Sequence, residues 1–331
     1  MAARSPRRER LHRWVYAALN ALAVAPLRVL ARVLPAMPER AALGLSDAIA
    51  WLIYVLDHRG RRAGRASLRA VFGDELTDGD RRRILRASYR TAIQAEVLLF
   101  HVQPMTPARW RRYVRVPDDV AARAVASTER TKAFVFVSAH FGNWEMLHAG
   151  RGALPFAVPA DYLAETTGWP AVDAFFRELR THGGEGEAGF RKGGATALAS
   201  GLRKGRSVGF LTDRNVPRRY GGVYIPFLGI PARTTPLAAK LAFYNRAPLI
   251  VLLLIPEGRA RWRFWASDDL MEPRTGDEDA DVLAATARMN DVFSRVIREH
   301  PEAWCWMLKR WKSRPTPELG PYPAYSLLDP D

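Results

Sequence analysis

The chain has 331 residues and a net charge of +16, long enough to bury a large core. Lysines are few (Lys132, Lys192, Lys204, Lys240, Lys309, Lys312), so arginine supplies nearly all of the positive charge and favours planar anionic partners such as phosphate and carboxylate. With Cys305 the single cysteine, an intrachain disulfide is excluded; between Trp304 and Trp306 it reads as a small buried hydrophobe.

Residues 1–13 form a basic lead, followed by the apolar run Trp14–Leu27, which Arg28 and Arg32 interrupt before Leu34. The run is shorter than the roughly 20 apolar residues of a spanning helix. It fits an amphipathic interfacial helix with snorkelling arginines, a tilted span, or a signal peptide. Leu43–Leu56 is a second apolar helix, and His58–Arg69 is a cluster carrying Arg59, Arg61, Arg62, Arg65 and Arg69. Such a cluster is usually a solvated face; beside membrane-seeking helices it suits lipid phosphates. Thr77–Val102 predicts a helix capped by Thr77 or Asp78.

Ala133–Ser138 alternates Phe and Val as a buried strand, and His140-Phe141-Gly142-Asn143-Trp144-Glu145 then turns into a helix. This places His140 at a strand tip, where open α/β sheets bind ligands. Glu145, in the first helical turn, can reach the imidazole and leave its other nitrogen as a base. The bland alternative is a satisfied buried histidine beside a capping glutamate. Further on come a strand at Ala157–Leu163, a helix at Gly168–His182, a Gly-rich loop at Gly183–Gly194 and a short helix at Ala195–Lys204. The strand Ser207–Leu211 ends at Asp213, a second polar residue at a strand tip. Pro236–Asn245 and Asp281–Glu299 read as helices, Leu249–Ile255 as a central parallel strand, Arg261–Ala266 as an edge-like strand, and 316–331 as an irregular tail.

The H-x4-E stretch resembles the signature of the late acyltransferases of lipid A biosynthesis in Gram-negative bacteria. Gly222–Gly229 with Ala232–Thr235, Leu211–Arg214, and His300–Glu302 through Trp306 to Lys309–Pro315 are similar to further blocks of that family, in the same order. The resemblance implies a mixed, mostly parallel α/β sheet flanked by helices, with amino-terminal membrane-associating helices. It divides the chain into an anchor (1–38), a catalytic domain (39–315) and a tail (316–331). It implies O-acyl transfer with His140 and Glu145 catalytic; beside them Asn143, Asp213 and the arginines near that cleft, Arg180, Arg191, Arg214, Arg233 and Arg310, read as substrate contacts. Acyl carrier protein (or acyl-CoA) is the implied donor and an anionic glycolipid, a lipid A precursor, the acceptor, with no metal, no other cofactor and no nucleic acid, at the cytoplasmic face of the inner membrane. Departures are Arg214 in place of a family Gln and Trp169 at a family Asn, which keep another phospholipid, lysophospholipid or glycolipid acceptor open. Readings from other classes are a zinc hydrolase using His140, Glu145, His148 and Asp213, and a non-enzymatic basic membrane or nucleic-acid binder. Ser138 shares a strand face with His140, but direct attack by the acceptor needs only the base.

Overall fold

The computed structural model describes residues 22–122, 133–149, 159–163, 167–181, 194–316 and 320–329. Its centre is a six-stranded sheet in the order β1 (Val114–Arg115), β8 (Arg261–Ala266), β7 (Leu249–Gly258), β2 (Val135–Ser138), β4 (Ser207–Leu211), β3 (Ala160–Leu163). All pairs are parallel except β7 with β8, in agreement with the mostly parallel sheet expected. β2 lies between β4 and β7, so both of its edges are paired. Val135 and Val137 enter one hydrophobic cluster and Phe134 and Phe136 the other; strand alternation divides the core into two layers.

The helices are α1 (Glu39–Leu56), α2 (His58–Phe72), α3 (Asp78–His101), α4 (Pro107–Arg111), α5 (Trp144–Ala149), α6 (Pro170–Thr181), α7 (Gly194–Arg203), α8 (Leu237–Tyr244) and α9 (Glu278–Glu299). Thr77 caps α3 in a reciprocal capping box with Asp80, satisfying backbone donors that a helix start otherwise leaves open. A separate two-stranded ribbon, β5 (Val223–Phe227) against β6 (Ile230–Thr234), joins the cluster holding Val135, Val137 and Val208 through Phe227, whose ring lies at an angle to those of Trp304 and Trp311.

Both terminal segments make contacts with the rest of the chain. Residues 22–33 are helical, and Leu34 is buried in the same cluster as α3's Val97–Phe100; His101 Nδ1 bonds the Leu34 carbonyl at 2.8 Å. The described part of the 1–38 segment therefore packs on the catalytic body, while the basic lead and the start of the Trp14 run lie outside the described residues. The tail is not wholly irregular. Leu327–Leu328 (β10) pairs in parallel with Ser313–Arg314 (β9), Tyr325 bonds Ser67 at 2.8 Å, and Asp329 pairs with Arg233. Among the described residues no single helix is long and apolar enough to cross a membrane; α1 and the following helical residues to Glu75 pass the length and composition test only together, across an 87° bend.

Candidate active site

The site forms because two neighbouring parallel strands end in register. Ser138 of β2 is paired with Leu211 of β4, so residues two beyond each tip, His140 and Asp213, face one another. His140 Nδ1 and Asp213 Oδ1 are 2.8 Å apart, and the His140 backbone N–H donates to Oδ2 at 2.8 Å. The Trp304 indole N–H donates to the same oxygen at 2.8 Å. Burial opposes the Asp213 charge, but the imidazole and these N–H donors outweigh it and hold the carboxyl below its usual range. The carboxylate fixes a proton on Nδ1 and leaves Nε2 as the basic nitrogen, on a side chain that is 21% exposed.

Here the structure corrects the sequence reading. The carboxylate on His140 Nδ1 is that of Asp213, not Glu145. Glu145 instead receives both arms of Arg180, Nε to Oε2 and Nη2 to Oε1, each at 2.8 Å. The reason is geometric: α5 carries Glu145 away beneath the turn, where α6 presents Arg180, whose guanidinium also lies over the Phe176 ring at 5.2 Å. Gly142 makes the turn possible. It has φ of +58°, and a Cβ there would stand 1.9 Å from the Leu254 carbonyl oxygen, so any side chain would push the turn off β7.

A distant segment clamps this turn. Gly142 N–H donates to Ala303 O (2.9 Å), Cys305 N–H to His140 O (3.0 Å), and Phe141 bridges Trp304. Ser88 of α3 donates to the Trp304 carbonyl at 2.5 Å and accepts from Trp306 N–H at 3.0 Å. The sequence carries no sign of a role for Trp304 or Ser88, because one acts through its indole N–H and the other through a hydroxyl on backbone groups, which no catalytic motif advertises. Cys305 is buried, as expected, and burial with the nearby Asp213 and Glu96 charges pushes its thiol well up, against a thiolate role.

The remaining expected site residues divide. Asn143 caps α5, its Oδ1 accepting from Met146 N–H at 3.0 Å; it is fully buried and its Nδ2 has no partner among the described residues. Arg310 is fully buried and donates to the Arg214 carbonyl at 3.1 Å, to the Arg233 carbonyl at 2.5 Å and to Thr234 Oγ1 at 2.6 Å. Burial brings its pKa down to about 10, against the attraction of Asp213. It braces the loop behind Asp213 and does not reach solvent. Arg233 is buried too, paired with Asp329 with its guanidinium over the Tyr224 ring. Both guanidiniums lie buried inside the fold, where Arg310 Nε and Arg233 Nε and Nη1 find no hydrogen-bond partner among the described residues. Arg214 is exposed beside Asp213. Arg191 lies outside the described residues. Ser138 Oγ is buried and makes no hydrogen bond among the described residues.

One further carboxyl belongs to this neighbourhood. Glu96 of α3 is pushed up to about 8 by burial and by the Glu145 charge, with Arg180 opposing. The folded chain thus holds a proton there that the unfolded chain releases near pH 4.5. Stability from this group is full below about pH 4.5 and is lost as pH rises towards 8. Glu96→Gln is expected to be more stable than wild type at pH 8 by roughly 1–3 kcal/mol, and level with it at pH 5. Denaturant melts at the two pH values check this; equal differences at both would contradict a neutral Glu96.

A mostly parallel sheet thus carries a carboxylate-oriented histidine at its carboxyl edge, an arrangement that can take up a proton. The profile of bacterial lipid A biosynthesis acyltransferases matches residues 8–313, and the chain belongs to that family; it is an O-acyltransferase. It is 22% identical over 273 residues to lipid A biosynthesis acyltransferase 2 of Shigella flexneri, covering 81% of this chain and 82% of that one. It is 27% identical over 127 residues to the lipid A biosynthesis palmitoleoyltransferase of Escherichia coli (strain K12), covering 38% and 40% respectively.

Proposed function

We propose that the protein transfers a fatty acyl chain from an acyl carrier protein thioester to a hydroxyl of an anionic glycolipid, a lipid A precursor, at the cytoplasmic face of the inner membrane. The observation that carries the reading is the His140–Asp213 pair at 2.8 Å. His140 Nε2 takes the acceptor's hydroxyl proton as that oxygen attacks the thioester carbonyl. Collapse of the tetrahedral intermediate breaks the C–S bond, and the imidazolium returns its proton to the departing thiolate. Asp213 stabilises the transient imidazolium and keeps the tautomer, and Trp304 in turn holds Asp213. No covalent acyl-enzyme is needed. Incubating the purified chain with acyl-acyl carrier protein and a lipid A precursor, followed by lipid mass spectrometry, tests this; an unchanged acceptor with donor consumed only by hydrolysis would overturn it.

Arg214 supports an anionic acceptor, being an exposed cation one residue from Asp213. A charge-assisted hydrogen bond to phosphate contributes roughly 1.5–3 kcal/mol. Arg214→Gln is therefore expected to raise the acceptor KM about tenfold or more, with a smaller change in kcat. The comparison is made with phosphorylated and dephosphorylated acceptors. The same KM for both enzymes on both lipids would remove Arg214 from headgroup recognition.

A further inference from the structure

Helix α1 is apolar on both sides. Its inner face buries Ala42, Leu43, Ala50 and Tyr54. From Ala41 to Leu56 every exposed position is also non-polar, in a stripe at helical spacing that includes Leu45, Ala48, Trp51, Leu52, Val55 and Leu56. Trp51 is 65% exposed, Leu52 50% and Leu56 65%, so this is no scatter of single surface residues. The next helix is the opposite. Besides His58, the exposed positions of α2 are Arg59, Arg62, Arg65 and Arg69. The two helices meet at 87°, setting an apolar arm beside a cationic one.

The corner between them is built. Asp57 caps α2 by accepting from Gly60 N–H at 2.8 Å, and also accepts from Tyr89 OH at 2.7 Å. Arg61 closes the end of α1 by donating to the Tyr54 and Val55 carbonyls. A Cβ on Gly60 would lie 2.0 Å from the Asp57 carboxylate, so the close approach requires glycine. Carboxylates near the far end of α2 are mostly committed: Glu75 to Arg298, Asp78 to Arg81 and Asp80 to Arg83.

We infer that the α1–α2 corner is a bilayer-docking surface: the α1 stripe lies in the lipid boundary and the α2 arginines rest on phosphates of anionic lipid. Because the inner face of α1 is packed on protein, the helix lies along the boundary and does not cross it. A membrane surface offers acyl chains and phosphates side by side, matching both arms. The corner is rigidly linked to the site, since α3 carries both Tyr89, bonded to Asp57, and Ser88, bonded to the Trp304 carbonyl. Docking would thus set the height of the His140 cleft above the bilayer. That consequence rests on the acyl-transfer reading, whereas the surface itself does not.

The test reads the surface locally, because residues ahead of α1 can also bind lipid. Full-length Leu52→Cys and, as a control on α9, Leu283→Cys are labelled with bimane; the native Cys305 is buried. Each is mixed with vesicles of phosphatidylcholine, with and without phosphatidylglycerol, carrying doxyl-labelled lipid. The expected result is a blue shift and quenching at position 52 and neither at position 283. Changing Arg59, Arg62, Arg65 and Arg69 to Gln should weaken binding to the anionic vesicles about fivefold per arginine, less at high salt, and leave binding to neutral vesicles unchanged. A probe at position 52 that stays in water while the protein sediments with vesicles would overturn the inference. So would a shift at position 52 that follows protein concentration without lipid, which would assign the stripe to self-association. Neither readout needs turnover, so failure here is separable from failure of the acyl-transfer assay.

Discussion

Alanine or asparagine in place of His140 is expected to lower the acyl-transfer rate about 10²–10⁴-fold, the usual contribution of a well-placed general base. The two substitutions part company in stability. Asp213 is fully buried and ionised, and receives hydrogen bonds from the imidazole, the His140 backbone and Trp304. His140→Ala removes one of these and costs about 1–3 kcal/mol. His140→Asn keeps a donor near the Nδ1 position but has no basic nitrogen, so it should recover most of that loss while remaining inactive. Paired rate and denaturation measurements decide the matter. An asparagine variant that is both folded and within tenfold of the wild-type rate would remove His140 from the chemistry. Asp213→Asn should be similarly slow, because the amide cannot stabilise the imidazolium.

The second large effect is expected at Arg180. Its two donors are matched to the two oxygens of Glu145, which is almost fully buried beside the protonated Glu96. Removing one member of a buried ion pair leaves an uncompensated charge and typically costs 3–5 kcal/mol. Arg180→Ala should therefore lose about that much. Glu145→Gln added to Arg180→Ala should restore a good part of it, since the orphaned charge is gone. A double-mutant cycle by urea denaturation measures the coupling. A single-variant loss below about 1 kcal/mol, or no rescue in the double variant, would show that the pair is not the tie between α5 and α6 that the geometry makes it.

Much of this was legible in the residues themselves. The Phe/Val alternation before His140 located the central strand, and the apolar run at Leu249 located its neighbour. Thr77 marked the start of α3. His140 and Asp213 both stood out as polar residues just past strand ends. The pairing between them was not legible, since it depends on β2 and β4 being adjacent and in register, with Ser138 opposite Leu211. Local spacing favoured Glu145, five residues from His140, but a helical turn carries that side chain to Arg180. The arginines misled in a similar way. Charge alone does not distinguish an exposed guanidinium such as Arg214 from one such as Arg310, which is fully buried against the Arg214 and Arg233 carbonyls and Thr234 Oγ1.

By itself, the sequence determined the element types, the family motifs and the two strand-tip residues, because local periodicity and turn chemistry act over a few residues. Which carboxylate serves the histidine, which arginines are buried, and which side of α1 is left uncovered were decided only by the tertiary structure. Each depends on groups far apart in the chain, such as Asp213 with Trp304 and Arg233 with Asp329, being brought within hydrogen-bond distance by the packing of the sheet and its helices.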